Sequence, residues 1–390
     1  MGFSATACAD DSGTTVTGNS NAGPPVRNAG PVEPTGQSAN RARPRLVQVA
    51  SFQQPVEIKA APGFRDLMFV VEQEGRVMVL RKGKKLRTPF LNIKGKVQSG
   101  GERGLLSIGF PPDYKRSKRF YVYFTDGTGD IRVDEFRART AVRARPNSGR
   151  RVITIPHREN SNHNGGQLQF LGNHLYFGTG DGGGGGDEPG NAQNRDVLLG
   201  KMIKIDPRAS NGRPYTVPSS NPFVGRDGRD EIYSVGLRNP FRWSFQKSGG
   251  VTRMMIADVG QDEFEEINAV PVARANGANF GWNRFEGFAE YDGAINGTTK
   301  PVLVLSHSGG YCSVIGGLIV RDPKVPALKG RYLYTDFCKG AIRSFRPGNG
   351  RVRSTRATGL SESSISSFAE SASKRVYATS LAGPVFRLTQ

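Results

Sequence analysis

The chain has 390 residues, with 54 Lys and Arg against 34 Asp and Glu (net charge +20), and with 51 Gly and 24 Pro. A chain this long can bury a sizeable core, and its glycine and proline content favours many short strands with tight turns over helices; no run of about 18 apolar residues occurs, which excludes a membrane-spanning helix. The arginines are spread along the chain without a recognition helix or nucleic-acid module, so nucleic acid is excluded as a partner and a basic rim around an anion-binding site is the expected use of the charge.

Residues 1–43 are rich in Gly, Ser, Thr, Asn, Pro and Ala and lack aromatic or β-branched clusters, so they read as a disordered tether. Within it Ser4-Ala5-Thr6-Ala7-Cys8 resembles the small-residue end of a bacterial lipoprotein signal, which would make Cys8 a lipid anchor, although the charged and apolar regions that normally precede it are missing. From Arg45 onward, short apolar runs alternate with Gly, Pro, Asn and Asp. They fall into six loose units, centred on 67–80, 104–136, 166–205, 232–268, 315–345 and 365–388. A spacing of roughly 35 to 65 residues with about four strands per unit predicts an all-β fold, a six-bladed β-propeller of four-stranded antiparallel blades over 44–390. A strand at 46–52 would close the ring by pairing with the last unit, hiding the sheet edges.

Three longer loops, 181–195, 206–230 and 275–303, depart from the repeat and point to units three and four as the binding region. Cys312 and Cys338 lie in neighbouring segments of one unit, 26 residues apart. A disulfide there is worth roughly 3–4 kcal/mol and implies an oxidising compartment; two buried thiols are the alternative.

His163 sits in Asn160-Ser161-Asn162-His163-Asn164-Gly165-Gly166, just before a segment in which Leu168, Phe170, Leu175 and Phe177 alternate onto one side. That places a histidine at a strand mouth, where a sheet fixes it and a loop leaves it reachable. The acidic run Asp262, Glu263, Glu265, Glu266 in so basic a chain suits a cation, or is a solvated turn. Asp181 and the five glycines after it are not a phosphate loop, for no Lys-Ser or Lys-Thr follows; they read as a flexible loop at the mouth, ordered by metal.

Five motifs in register make a family visible. They are Gly101-Glu102-Arg103-Gly104-Leu105-Leu106-Ser107, Asn162-His163-Asn164-Gly165-Gly166-Gln167, Gly236-Leu237-Arg238-Asn239-Pro240, Asp258-Val259-Gly260-Gln261-Asp262-Glu263-Phe264-Glu265-Glu266 and Asn279-Phe280-Gly281-Trp282. Over about residues 45–390 the chain resembles the glucose/sorbosone dehydrogenase family, the soluble aldose dehydrogenases that use pyrroloquinoline quinone, together with hedgehog-interacting-protein-like propellers.

The resemblance implies oxidation of an aldose to its lactone, with the quinone (PQQ) and Ca2+ as cofactors and an external electron acceptor. His163 matches the base that takes the anomeric proton. Arg238 matches the cation facing the quinone oxygens, with Asn239 beside it. Gly260 and Gln261 match carbonyl donors to a first Ca2+, and Glu266 and the Phe280 carbonyl match ligands of a second. Asn162 stands where the dehydrogenases carry an aspartate that raises the basicity of the histidine, so the resemblance implies a weaker base here. Glu102 stands where they carry a glutamine, and Ser364-Ile365-Ser366-Ser367 replaces a pair of cofactor-clamping arginines, leaving Lys339 as the candidate clamp.

Those departures match the hedgehog-interacting-protein-like branch, regarded as binding proteins. The alternative function is therefore a non-catalytic propeller that binds glycan or protein. Either way the expected location is extracytoplasmic: secreted, periplasmic or in the cell envelope.

Overall fold

The structure is a computed structural model that describes residues 43–348 and 350–390. All but the last residue of the expected tether, including the Cys8 anchor, lies outside the described residues. The described chain forms six antiparallel blades and a two-stranded hairpin, Phe285–Glu286 with Ala289–Glu290. Blade 1 runs outward through Pro55–Ala60, Leu67–Glu72 and Arg76–Arg81, its outer position split between Lys84–Lys85 and Leu91–Asn92. Blade 2 is Leu105–Gly109, Arg119–Thr125, Ile131–Thr140 and Arg143–Ile155, and blade 3 is Leu168–Leu171, His174–Gly178, Lys201–Ile205 and Ile232–Val235. Blade 4 is Arg242–Ser248, Val251–Asp258, Phe264–Pro271 and Leu303–Ser306, and blade 5 is Val314–Ile319, Tyr332–Asp336, Ala341–Pro347 and Val352–Ser361. Blade 6 is Ile365–Glu370, Val376–Ser380, Pro384–Thr389 and, from the other end of the domain, Arg45–Ser51, which pairs with Pro384–Thr389 and closes the ring. The first strand of each blade packs on those of its two neighbours around one axis, which makes a six-bladed propeller.

One boundary differs from the sequence reading. Ile232–Val235 pairs with Lys201–Ile205 and ends blade 3, and blade 4 starts only at Arg242. The long 206–230 excursion separates this outer strand from its own blade, so in sequence it looks like the start of the next.

The core explains why six short, unremarkable repeats hold together. Successive side chains of a strand point to opposite faces, and each blade has a neighbour on both faces. In blade 1, Phe69, Val71, Val77 and Val79 face a buried cluster shared with blade 2, while Met68, Val70, Met78 and Leu80 face one shared with blade 6. The same division gives one apolar cluster between every pair of neighbouring blades. Fully burying each Phe, Leu or Val contributes about 1.5–3 kcal/mol, distributed around the ring without a single centre.

The axis itself is polar. Arg242, fully buried, donates from its guanidinium to the carbonyls of Ser366 (2.9 Å), Phe241 (3.0 Å), Gly166 (3.2 Å), Leu106 (3.5 Å) and Val56. These belong to the inner strands of five blades, or to residues just before them. Burial pulls its pKa down to about 10, opposed by the Glu57 carboxylate. Arg242 joins the blades directly below the mouth where His163 and Arg238 lie.

Candidate active site

His163 and Arg238 each precede the inner strand of their blade, so both stand at one end of the axis, the mouth. His163 adopts a left-handed backbone (φ 55°), uncommon for a residue with a Cβ and held here by close packing. Its loop lies so near the end of the strand His174–Gly178 that a Cβ on Gly180 would meet the His163 carbonyl oxygen at 1.9 Å. Only glycine fits at 180. The next residue in the chain, Asp181, reaches the histidine.

His163 Nδ1 lies 2.7 Å from Asp181 Oδ1, both side chains being almost fully buried. A carboxylate accepts only, so Nδ1 carries the proton and Nε2, with no partner among the described residues, is left as the basic nitrogen. Asp181 is in turn fixed by the Gly183 amide (3.0 Å) and by Trp282 Nε1 on its second oxygen (2.8 Å). A carboxylate therefore does stand against the imidazole, although not at residue 162. Asn162 does not serve the imidazole; its Oδ1 accepts from the Gly184 amide at 3.2 Å and ties down the glycine loop. The carboxylate that residue 162 lacks arrives from blade 3, eighteen residues beyond His163 in the chain. A Gly-Asp-Gly at the end of a strand is the signal the sequence offers for it, and one that fits a plain loop equally well.

Around this pair the structure brings together three more of the expected residues. Glu102 accepts from the His163 amide (2.7 Å) and from Asn239 Nδ2 (3.2 Å), and Asn239 Oδ1 accepts from the Gly165 amide (3.0 Å). Arg238, buried, donates to Gln261 Oε1 through Nε (3.0 Å) and Nη2 (2.8 Å) and to the Val259 carbonyl (3.1 Å), with its guanidinium over the Trp282 ring. Trp282 thus touches both the Asp181 carboxylate and the Arg238 cation.

Beneath Arg238 lies a concentration of buried acid. Asp258 accepts the backbone amides of Arg238 (3.0 Å) and Asn239 (2.7 Å). Directly across the sheet from it is Glu266, which accepts the Gly287 amide. Burial is the main cause that pushes Asp258 up to about 7 and Glu266 up to about 8; the neighbouring carboxylates, Asp181 for the first and Asp258 for the second, add to it. Asn268, on the same face two residues on, has its amide buried without a hydrogen-bond partner of normal geometry. The carbonyls of Gly260, Gln261 and Phe280 accept no hydrogen bond among the described residues. Carboxylate, amide and carbonyl oxygens are the kinds of donor that a hard cation takes.

In the rest of the expected acidic run the Asp262 and Glu263 carboxylates are exposed and Glu265 is buried. Glu286 Oε1 accepts four successive amides, Gln261 (2.7 Å), Asp262 (2.8 Å), Glu263 (3.0 Å) and Phe264 (3.1 Å), while Glu265 pairs with His307 (2.8 Å). In the 181–195 loop the Lys201 ammonium donates to the carbonyls of Asn191 and Ala192, and to that of Leu199 just beyond it, and Asp187 accepts the amides of Asn191 and Ala192 at 2.8 Å each.

Lys339 stays outside this network. It is exposed, its ammonium is 5.8 Å from the Tyr311 ring centroid, and its amide bonds Asp336, beside the Cys312–Cys338 disulfide that the structure contains. Ser366 and Ser367 are buried and bonded internally, to the Pro55 carbonyl (2.7 Å) and to Thr379 Oγ1 (2.7 Å).

The six-bladed propeller thus carries a histidine–aspartate pair, an arginine and buried carboxylates at one end of its axis. The chain belongs to the glucose/sorbosone dehydrogenase family, whose model matches residues 52–378. It is 30% identical over 321 residues to the HIPL2 protein of Arabidopsis thaliana, covering 65% of this chain and 45% of that one, so it spans less than half the length of this relative. It is 27% identical over 260 residues to the aldose sugar dehydrogenase YliI of Escherichia coli K12, covering 60% and 65%. Its fold is shared with the PQQ-bound aldose sugar dehydrogenase of Streptomyces coelicolor, with a TM-score of 0.69 at 22% identity over 89% of this chain and 98% of that one.

Proposed function

We propose that this domain oxidises the anomeric carbon of an aldose to a lactone, with pyrroloquinoline quinone and Ca2+ as cofactors and an external acceptor for the electrons. The observation that carries the reading is the His163–Asp181 pair. Its unprotonated Nε2 takes the hydroxyl proton as the carbon gives up a hydride, and Asp181 stabilises the imidazolium that forms. The quinone, when bound, supplies the two-electron sink. Arg238 and Asn239 would hold it, the fixed guanidinium favouring charge that develops on its oxygens. Glu266 and Asp258, with the carbonyls of Gly260, Gln261 and Phe280, would hold calcium. The disulfide supports an extracytoplasmic location.

A second reading, a non-catalytic binding propeller, is favoured by one feature. A tricarboxylate quinone needs cations, yet Arg238 is already committed to Gln261 and Val259, Lys339 makes no bond to the residues around His163, and Glu102 adds a negative charge. The test is calorimetric titration of the full chain with quinone in the presence of Ca2+, followed by aldose-dependent reduction of an artificial acceptor. We expect calcium-dependent, salt-sensitive binding. Turnover should fall about 100- to 10,000-fold in His163→Ala, and strongly in Asp181→Asn, with quinone binding retained in both. Absence of quinone binding at high micromolar concentration overturns the enzyme reading in favour of the second.

A further inference from the structure

Three stretches, 75–101, 136–158 and 337–361, carry eight, seven and six Lys or Arg and no Asp or Glu. They form much of the third and outer strands of blades 1, 2 and 5. On them the register sets like charges directly opposite one another: Arg81 faces Lys84 in blade 1, Arg137 faces Arg145 in blade 2, and Arg346 faces Arg353 in blade 5. Arg137 is also opposite Arg119 on its other side, so blade 2 carries a row of three. Like charges directly across a sheet destabilise it. All six residues of the three pairs are exposed, and none has a carboxylate partner among the described residues. A local rule broken in the same way on three blades, without an internal remedy, calls for an external one.

The pairs share a position as well as a sign. Inner strands start at the mouth, so with strands alternating in direction the end of each third strand and the start of each fourth lie at the far end of the blade. Arg81, Arg137 and Arg346 are near the ends of third strands. At the same end, the connection after the inner strand of blade 2 adds Lys115, Arg116 and Lys118.

We propose that this far end docks on an anionic phospholipid surface, leaving the catalytic mouth turned toward solution. Blades 2 and 5 are opposite one another in the ring, so a single groove-bound strand of polymer does not reach both; a plane does. The strand Arg45–Ser51 enters the domain at this end too, Arg45 being opposite Thr389 at the far end of its blade. Arginine and lysine contribute near an anionic bilayer through the surface potential, about five-fold in partitioning for each residue.

The test is co-sedimentation of the full chain with vesicles of phosphatidylcholine alone or mixed with phosphatidylglycerol, at low and high salt. Binding is expected on the mixed vesicles only, and lost at high salt. The double variant Arg346→Gln, Arg353→Gln should bind about 25-fold more weakly. Because it relieves a repulsive pair, its thermal midpoint should match or exceed that of the parent, which separates lost docking from misfolding. Equal partitioning onto both vesicles, an unchanged affinity of the folded variant, or capture by soluble dextran sulfate with none by vesicles overturns the proposal.

Discussion

Buried charge is handled in two opposite ways in this domain. The interior cations Arg242 and Lys201 are closed in their hydrogen bonding, with backbone carbonyls around each, five for the guanidinium and three for the ammonium, although burial still pulls them down to about 10 and about 7. The interior anions Asp258 and Glu266 are open. They face each other across a sheet, share a few amides, and are pushed up to about 7 and 8 chiefly by burial, which the amides and, for Asp258, the Arg238 cation offset only in part. A charge satisfied from within organises the fold; a charge left unsatisfied is a place reserved for something else. The cations set the geometry of the mouth, and the anions wait beside it.

The largest effect is expected where the closed system is opened. Arg242→Ala would leave buried carbonyls from five blades without a donor, each costing about 1–3 kcal/mol, so the variant should lose more than about 4 kcal/mol or fail to fold. Denaturant unfolding measures this. Should Arg242→Ala prove nearly as stable as the parent, the axial arginine is not what joins the blades, and the contrast with the carboxylates loses its first half.

Filling the open system should give a smaller, opposite effect. Ca2+ at a hundredfold excess over its dissociation constant should stabilise the parent by about 2.7 kcal/mol, and chelation should reverse that. Glu266→Gln should abolish the response, and without calcium it should be at least as stable as the parent, since it removes a repelling buried carboxylate. A thermal midpoint indifferent to calcium and chelator would mean that the two acids are closed by some means other than a cation.

The same contrast explains what is legible in the sequence. The propeller is legible because six units of alternating apolar residues repeat along the chain, and alternation is the property that lets each blade feed two clusters. His163, Arg238, Asn239 and Glu102 are legible because they lie in short contiguous motifs, and the structure does gather them. Partnerships between distant segments escape such a reading. Asp181 reaches His163 only because Gly180 allows two loops to touch, and Lys201 bonds the 181–195 loop from a strand that follows it in the chain. The basic charge is counted correctly from the sequence but not placed by it: composition gives its amount, while strand direction decides at which end of each blade it lies.

The smallest effect is the pH dependence of the calcium-free protein, and its sign is set by the open acids. Glu266 is held near 8 in the folded protein against an ordinary value of 4.5, and Asp258 near 7 against 3.8. A group with a raised folded pKa binds its proton more tightly folded than unfolded, so its contribution to stability is fully present below the unfolded value and is lost as pH rises through the folded one. With chelator present, stability should therefore fall between about pH 4.5 and 8, by something on the order of 1–2 kcal/mol once relaxation and water entry are allowed for. Calcium favours the ionised carboxylates and competes with those protons, so saturating Ca2+ should flatten or reverse the slope over the same window. Thermal midpoints measured from pH 5 to 8, with and without calcium, read both arms together. A chelated protein that grows more stable toward pH 8 would show that Asp258 and Glu266 are ionised and satisfied without a metal, and that the mouth is as closed as the axis.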